Sequence, residues 1–514
     1  MERIDVISKL PVPILDHILS FLAIKDAART SVLSKAWNNA WTSLSCLDFG
    51  YGFYHVIRGV VDQILEKRLN QKISIKRFKV NVPNYVNLDS WIKILVACNI
   101  KELYLEVDTT YAYKKLPEAI FAVKALNVLC LCGFWIELPS DGIKFSSLRE
   151  LHLVESVFDE LLIQALCISC SDLEVLSLRG FYGPISLQVA RTLPKLRTVD
   201  LVACPLKFQM VDIAAPNMKD LYVSSSSGFL NVIKIISCKT LQHLNLHGVA
   251  VTDQWLENLL PHLPNLEIFY LSSCSLLKTM KISSNRLKYL KVVSCGNLTE
   301  VDLDTPNLLG FSSDVRYGKD IVDPLPTFHL KASRVLEASL NLIPETLDTN
   351  WYSKLTRSLS NFIHSKTIKL CCDDHKVLVI PKELRESLLP PLYDTNILQV
   401  KLHDRSNYSV VDIIDSMLWI SPQLDTLSFG HTVDLKTLKF TYRDAADDED
   451  EKPCCASLPW KCWRHELKKV TLQDFTIMEL LELRNYFLTN TDKLETIEDP
   501  PGWFLRTSLQ YLHT

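Results

Sequence analysis

The pattern L-x-x-L-x-L, with conservative replacements, recurs along this chain at intervals of 21 to 26 residues. Copies begin at Ile75, Ile100, Leu126, Leu148, Leu173, Leu196, Met218, Leu241, Leu266 and Leu287. One such hexamer in a leucine-rich chain carries little information, whereas a series in phase indicates a structural repeat. Because side chains alternate along a β-strand, the fourth and sixth positions of each hexamer share one face of a short strand.

A single strand of this kind cannot bury its apolar face, but a stack of copies encloses a continuous core. The sequence therefore predicts an α/β fold in the form of a curved solenoid. Each repeat would place one parallel strand on the concave face and an amphipathic segment on the other side. Several copies continue with a cysteine, and in this they resemble the leucine-rich repeat, where such a side chain faces the backbone of neighbouring coils. These cysteines are Cys204, Cys274 and Cys295.

The repeat becomes weaker in the last 200 or so residues, where the solenoid is expected to continue with irregular loops. Only part of the pattern follows Leu308, and weaker copies begin at Val335, Ile397, Leu424 and Leu467. Between the last two copies, the acidic run 444–453 has no apolar anchor. Such a run is typical of a solvated loop, and an interaction site is the alternative interpretation.

The composition argues against several classes of protein. With 47% hydrophobic and 22% charged residues, the 514-residue chain can bury large cores and is not disordered. The net charge of −3 and the lack of a basic stripe argue against nucleic-acid binding. No apolar run approaches the roughly 18 residues of a membrane helix, and the N-terminus does not look like a secretory signal. We therefore expect a soluble protein of the cytoplasm or nucleus, whose fifteen cysteines are thiols.

Three groups of cysteine and histidine residues raise the question of metal or redox chemistry. The CxxC spacing of Cys167 and Cys170 has no second pair, so core thiols are the favoured interpretation. The other groups match no common zinc finger, and we predict neither a metal site nor a cofactor. Common nucleotide-binding and hydrolase motifs do not occur in the sequence, and no catalytic residue is predicted. Those other groups are Cys371, Cys372 and His375, and Cys454, Cys455, Cys462 and His465.

The N-terminal stretch from Leu10 to Trp37 carries apolar residues at helical spacing but is too short to fold around them. Pro13 suits the first turn of one helix, Asp26 can cap a second helix, and Ser34 can cap a third. Three short helices in about 35 residues fall below the size that usually folds alone. Part of their apolar surface must therefore dock on the adjoining solenoid, on another protein, or on both.

Two segments resemble modules of a known plant family. The run from Leu10 to Trp41, with its block KDAARTSVLSKAW, resembles the F-box of plant F-box/leucine-rich-repeat proteins. The segment from Cys462 to Ile497 resembles the FBD module that closes many such chains, with a strand, a helix and a second strand. The resemblance implies an F-box over 1–45, leucine-rich repeats over 46–330, an irregular continuation over 331–453, and an FBD-like module over 454–514.

Proteins of this family are substrate receptors of cullin–RING ubiquitin ligases, and the resemblance implies the same role here. The F-box would bind a Skp-type adaptor, which joins the receptor to the cullin, and the solenoid would hold an unknown target protein. The receptor itself would not be an enzyme. The resemblance implies adaptor contacts by Leu10, Pro11, Ile14, Leu15, Ile18, Leu19, Val32, Leu33, Ser34, Lys35 and Trp37. The alternative is that part of this set forms the small helical core.

Residues between the buried leucines of each strand would face a bound target on the concave surface. One such column consists of Tyr104, Cys130, His152, Ser177, Asp200, Tyr222, Asn245, Tyr270 and Lys291. Its tyrosines suit contacts with a protein, because they bring area and a hydroxyl at low entropy cost. An ordinary solvated sheet face is the alternative. A second function also stays open, namely a repeat scaffold that binds the adaptor without promoting degradation.

Overall fold

The computed structural model contains two compact units, residues 1–250 and 251–514, and each is described by itself. The predicted acidic loop and residues Cys204, Cys454 and Cys455 lie outside the described residues. In the described ranges, no helix has both the length and the apolar character needed to cross a membrane. The structure describes residues 10–50, 57–83, 86–110, 112–189, 193–203, 208–225, 230, 232–313, 325–331, 335–344, 346–403, 408–431, 434–443 and 462–499.

The first unit opens with three short helices. Pro13 lies in the first turn of the first helix, as predicted, and the Ser34 hydroxyl caps the third by accepting a hydrogen bond from Trp37 N at 3.4 Å. The prediction that Asp26 caps the second helix is wrong, because this helix begins after Ala23. Asp26 lies in its first turn, where the helix dipole stabilises a carboxylate. The helices of this unit are α1 (Val12–Ser20), α2 (Ile24–Thr30), α3 (Lys35–Ser43), α4 (Ile57–Asn70), α5 (Leu88–Ala97) and α6 (Glu160–Ser169), with a 3₁₀ turn over Glu118–Ala122.

Short strands follow, both at the predicted copies of the repeat and between them. They are β1 (Cys46–Phe49), β2 (Arg77–Asn81), β3 (Glu102–Glu106), β4 (Lys114–Lys115), β5 (Val128–Cys132), β6 (Phe134–Trp135), β7 (Glu150–Val154), β8 (Val175–Phe181), β9 (Ser186–Val189), β10 (Thr198–Ala203), β11 (Met210–Ile213), β12 (Asp220–Ser225), β13 (Val232–Ile235) and β14 (His243–His247). Parallel pairing in the order β1-β2-β3-β5-β7-β8-β10-β12-β14 forms the main sheet of this unit. In β3, Leu103 and Leu105 are buried on one face while Tyr104 is half-buried on the other, which is the predicted alternation.

The segments between main-sheet strands build a second layer in the first unit. Strands β9, β11 and β13 pair into a small parallel sheet, and β4 pairs with β6. Elsewhere the layer is helical, as in α6, whose N-terminus is capped by the Asp159 carboxylate accepting from Leu162 N at 2.9 Å. This helix buries Leu162 and Leu166, and it leaves Leu161 and Ile168 exposed.

The second unit repeats this architecture with strands β15 to β24. Parallel pairs join β15 to β17, β17 to β19, and then β19, β21, β22, β23 and β24 in succession, while β16, β18 and β20 form a second small sheet. The strands are β15 (Ile268–Ser272), β16 (Thr279–Ser283), β17 (Tyr289–Val293), β18 (Glu300–Asp304), β19 (Gly310–Ser313), β20 (Thr327–Leu330), β21 (Glu337–Leu342), β22 (Thr367–Cys372), β23 (Ile397–Leu402) and β24 (Thr426–Gly430). These parallel strands, together with the N-terminal helices, confirm the predicted fold class.

The C-terminal part of the second unit departs from the repeat. Strand β25 (Leu435–Tyr442) runs antiparallel to β24, and β26 (Leu467–Gln473) runs antiparallel to β25, so the copy at Leu467 is not a further parallel repeat. A capping box of Thr476 and Glu479 starts the last helix, and β27 (Thr496–Glu498) then pairs parallel with β26. The helices of this unit are α7 (Asp253–Leu259), α8 (Thr349–Leu359), α9 (Lys382–Arg385), α10 (Val410–Ile420), α11 (Trp463–Glu466) and α12 (Ile477–Asn490), with 3₁₀ turns over Leu260–His262, Ser360–Phe362 and His375–Val377.

A mostly buried ionic network ties α12 to α9 and α10. Asp415 Oδ2 accepts a hydrogen bond from Arg385 Nη1 at 2.6 Å, and Asp415 Oδ1 accepts one from the Tyr486 hydroxyl at 2.6 Å. The Arg385 and Asp415 side chains are only 13% and 12% exposed. Burial by itself raises the pKa of Asp415, but the hydrogen bonds from Tyr486 and Arg385 outweigh it and hold that pKa below its ordinary value.

Candidate functional site

The three N-terminal helices enclose a small core of their own. Leu15 and Leu19 of α1 meet Ala27 of α2 and Trp37 of α3, and all four side chains are buried. Ala40 and Leu44 complete this core, against whose edge Leu10, Ile18, Ala36 and Trp41 pack. The module is therefore folded around side chains that the sequence alone could not separate from outward-facing ones.

The same module exposes large apolar side chains between residues 12 and 33. Val32 is 85%, Phe21 76% and Leu33 65% exposed. Val32 and Leu33 lie in the turn between α2 and α3, and Phe21 follows the end of α1. Single exposed apolar residues are ordinary, whereas their concentration in so short a stretch marks an interaction surface. We call this group the N-terminal apolar set: Val12, Ile14, Phe21, Leu22, Val32 and Leu33.

The structure divides the eleven predicted adaptor contacts by exposure. Leu15, Leu19 and Trp37 are buried in the core of the module, so we assign them to its folding and not to direct contact. The half-buried residues are Leu10, Ile18 and Ser34, and the exposed ones are Pro11, Ile14, Val32, Leu33 and Lys35. The prediction omitted Val12, Phe21 and Leu22, although all three lie inside the segment that resembles an F-box. The signal for Phe21 and Leu22 was the continuation of apolar residues past the end of α1.

Arg68 of α4 anchors the module to the first repeat. Its guanidinium donates to Leu44 O at 2.6 Å and to Trp41 O at 3.1 Å, so a buried cation satisfies carbonyls at the C-terminal end of α3. Burial lowers the pKa of Arg68 to about 10, partly offset by the charges of Cys98 and Asp16, and the group stays charged at neutral pH. Burial also raises the pKa of Asp16, against the opposing effect of Arg68.

Replacing Arg68 by methionine is expected to loosen the three-helix module. The change removes two hydrogen bonds from a charged donor, so the free energy of unfolding should fall by about 3 kcal/mol. Hydrogen–deuterium exchange of α3 amides, together with denaturant unfolding, measures the effect. Lys67→Met, which changes an exposed side chain of the same helix, is the matched control and should leave both quantities as in the wild type. Unchanged exchange of α3 in the Arg68 variant would show that this residue is not an anchor.

The predicted column of outward-facing residues is present in the first unit, residue by residue in register. The pairs run from Tyr104 to Cys130, His152, Ser177, Asp200, Tyr222 and Asn245. Asp200 is the least available of them, because it is buried and accepts hydrogen bonds from Arg179 Nε at 2.5 Å and Ser177 Oγ at 3.1 Å. The binding role of the column stays a prediction.

A second column lies in the second unit. Tyr270 pairs with Lys291, as predicted, and the column continues through Ser312, Ser339, Lys369, Gln399 and Ser428. An open pocket of ≈ 300 Å³ lies over its first strands. Tyr270 and Lys291 line this pocket, and Lys369 and Lys401, which were not predicted, line it as well.

Seven of the twelve cysteines in the described part of the chain are buried, and Cys46, Cys130, Cys132, Cys371 and Cys462 are half-buried. Cys167 and Cys170 are buried, and burial, with Cys167 adding to the effect, raises the pKa of Cys170 to about 12, so it is an inert thiol. Cys274 and Cys295 are buried and donate to Ser272 O and Val293 O, each at 3.5 Å, which are carbonyls of their own coils, whereas the predicted contact with neighbouring coils stays a prediction. In the described ranges, no three histidine, cysteine, aspartate or glutamate residues are grouped as a metal site.

Comparison with protein-family models assigns three regions of the chain. Residues 7–49 match the F-box domain. Residues 88–242 match the leucine-rich repeats of "FBD-associated F-box protein At5g56370". Residues 224–498, more than half of the chain, match the "At1g61320/AtMIF1, LRR domain".

Curated relatives from Arabidopsis thaliana agree with these matches. The chain is 29% identical to "Putative F-box protein At1g49610" over 241 residues, which are 46% of this chain and 60% of that protein. It is 26% identical to "FBD-associated F-box protein At5g56380" over 381 residues, which are 66% of this chain and 85% of that protein. Over four of the most similar relatives, the match spans 52 to 64% of the relative's own length.

A three-helix F-box followed by leucine-rich repeats defines the class of F-box/leucine-rich-repeat proteins. The chain belongs to the plant F-box/FBD/leucine-rich-repeat family, which confirms the resemblance seen in the sequence.

Proposed function

We propose that this protein is the substrate-recognition subunit of an SCF-type cullin–RING ubiquitin ligase in the cytoplasm or nucleus. The F-box holds a Skp-type adaptor, and the repeats hold a target protein. The observation that supports this most is the N-terminal apolar set, which the module exposes although it already has a buried core. An apolar surface of this kind gains free energy when a second chain covers it.

In this role the protein catalyses no reaction itself. Holding the target on the same assembly as the ubiquitin-charged enzyme raises the effective concentration of target lysines near it. The repeats therefore serve recognition. We propose that the target contacts the outward columns. The accessible members are Tyr104, His152, Tyr222 and Asn245 in the first unit, where Asp200 positions Arg179, and Tyr270 and Lys291 in the second unit.

Reconstitution tests the proposal. The full chain, co-expressed with a Skp-type adaptor and mixed with a cullin–RING scaffold, is expected to elute as one complex on size exclusion. Proximity labelling from the repeats should then find proteins that accumulate when adaptor binding is disabled by point substitution. Failure to bind any Skp-type adaptor would contradict the proposal. A complex that forms without changing the abundance of any labelled protein would instead support a scaffold that does not promote degradation.

Point substitution is preferable to deletion of residues 1–45 in this experiment. Arg68 lies outside the deleted segment, and its two carbonyl partners, at Trp41 and Leu44, lie inside it. Deletion would remove both partners of the Arg68 guanidinium, so it is expected to destabilise the first repeat. Loss of function after deletion would therefore mix the loss of adaptor binding with damage to the repeats.

A further inference from the structure

The pocket in the second unit concentrates positive charge on a surface that the repeats leave open. Lys291, Lys369 and Lys401 line it, and Glu337 is its acidic residue. Two tyrosines, Tyr270 and Tyr289, lie at the same end of the pocket as Lys291. We propose that this pocket binds an anionic side chain, a phosphorylated or a carboxylate residue, within an extended segment of the target protein. The inference rests on the proposed function and names the chemistry of the target.

The strand register fixes the spacing of the charged groups. Lys291, Ser312, Ser339 and Lys369 occupy one row on adjacent strands. With strands about 4.8 Å apart, the α-carbons of the two lysines are about 14 Å apart, with two serines between them. Lys401 follows on the next strand, two residues further along than the partner of Lys369, about 8 Å from it. Lysine side chains can converge from these positions on an anion above the serines.

The absence of a side chain at Gly310 accounts for the position of the Tyr289 ring. Gly310 pairs with Tyr289 on the neighbouring strand, and a Cβ at Gly310 would lie 2.8 Å from Tyr289 Cδ1. The missing side chain therefore lets the Tyr289 ring lie over β19. Tyr270 and Tyr289 are both exposed, and they offer contact area to residues that flank the anionic one.

In the first unit, the basic residues of the main sheet are neutralised by ion pairs within the chain. On its main sheet, the basic residues of the outward face are paired across strands: Arg77 with Glu102 at 2.5 Å, Lys79 with Asp48 at 3.8 Å, and Arg179 with Asp200 at 2.5 Å. Lys369 and Lys401 have no ion-pair partner among the described residues. Two such lysines on one sheet face, Lys369 and Lys401, attract an anion from outside the unit.

The size of the pocket favours a peptide over a nucleic acid or a membrane. Three lysines accompanied by an acid provide one local anion site, whereas nucleic-acid and membrane surfaces need an extended basic stripe or a cluster of 4–8 basic residues. The chain as a whole is weakly acidic, with a net charge of −3. Serine, lysine and tyrosine side chains together suit one anionic residue flanked by apolar ones.

Binding of peptide pools to the full chain tests the inference. Three fluorescent pools carry phosphoserine, glutamate or serine at a fixed centre, with degenerate flanking positions, and anisotropy reports their apparent affinity. The phosphoserine or glutamate pool is expected to bind at least about tenfold more tightly than the serine pool, since a charge-assisted hydrogen bond contributes this much. Added salt should weaken that preference.

The double variant Lys369→Gln/Lys401→Gln should lose the preference for the anionic pools. Lys366→Gln/Lys376→Gln, at exposed positions that flank β22 outside the pocket, removes the same charge and should keep the preference. Equal binding of all three pools, or an unchanged preference in the pocket variant, would overturn the inference. Tighter binding of a random single-stranded RNA 20-mer through the same two lysines would overturn it as well.

Adaptor binding measured in the same samples separates this inference from the proposed function. Lys369 and Lys401 lie outside the F-box, so the pocket variant should bind a Skp-type adaptor like the wild type. Adaptor binding without anion preference would reject the pocket and keep the proposed function. Anion preference without adaptor binding would reject the proposed function and keep the pocket.

Discussion

Replacing Val32 and Leu33 together by aspartate should lower the affinity for a Skp-type adaptor at least about a hundredfold, because two charges would enter an apolar interface. Both side chains are mostly in solvent in the isolated chain, and they lie in a turn that contributes little to the core. The thermal unfolding midpoint should therefore stay that of the wild type. Isothermal titration calorimetry with the purified adaptor, beside a thermal melt, measures both quantities.

The helix α6 offers a matched control for this double substitution. Leu161 and Ile168 are similarly exposed, at 58% and 73%, but they lie on the second layer of the repeats. Leu161→Asp/Ile168→Asp introduces the same chemistry and should bind the adaptor with wild-type affinity. If the variant at Val32 and Leu33 bound the adaptor within about threefold of the wild type, a difference below 1 kcal/mol, the N-terminal apolar set would not be the adaptor site.

The repeat could be predicted from the sequence because its physical signal is local. Apolar residues at the fourth and sixth positions of each hexamer must share one face of a strand, and the period fixes which residues become neighbours. The predicted pairs Tyr104 with Cys130 and Tyr270 with Lys291 are therefore found in register. Because the local pattern and the stacking agree over many copies, few alternative folds are compatible with this sequence.

Strands β22 and β25 of the second unit were not predicted from the repeat pattern. Strand β22 was missed because Ser365, a buried polar residue, replaces leucine at the first position of its hexamer, although Ile368 and Leu370 keep the other two. Strand β25 was not predicted either, although Leu435, Leu438 and Phe440 fit the hexamer, and its alternation does not reveal that it runs antiparallel to β24. Strand direction depends on the connecting loops, and no single hexamer contains that information.

The F-box shows the limit of periodicity within one short module. Apolar residues occur on several sides of α1, and spacing alone does not distinguish Leu15 and Leu19, which face the module's own core, from Ile14, which faces solvent. The position of α3, set by the Ser34 cap and the Arg68 anchor, decides which side is covered. We expect a partner to contact the apolar side chains that remain exposed, including Phe21, which the prediction omitted.

Replacing Asp415 by alanine should lower the free energy of unfolding of the second unit by about 3–5 kcal/mol, the usual cost of leaving a buried charge unpaired. The substitution strands the Arg385 guanidinium and removes the acceptor of the Tyr486 hydroxyl, so α12 loses its polar tie to α9 and α10. Hydrogen–deuterium exchange should show the largest loss of protection in α12. Denaturant unfolding at neutral pH gives the free energy.

The pH dependence of the same variant separates loss of charge pairing from loss of packing. The folded pKa of Asp415 lies below its ordinary value of 3.8, so the network stabilises the fold fully above that value and loses its contribution as the pH falls through the folded pKa. The difference in the free energy of unfolding between the wild type and Asp415→Ala should therefore become smaller as the pH falls. Asp412→Ala, on an exposed position of the same helix, is the control and should cost below about 1 kcal/mol at neutral pH. If this difference in the free energy of unfolding stayed constant from neutral to strongly acidic pH, the destabilisation would come from lost packing. That result would contradict a stabilising role of the ionic network.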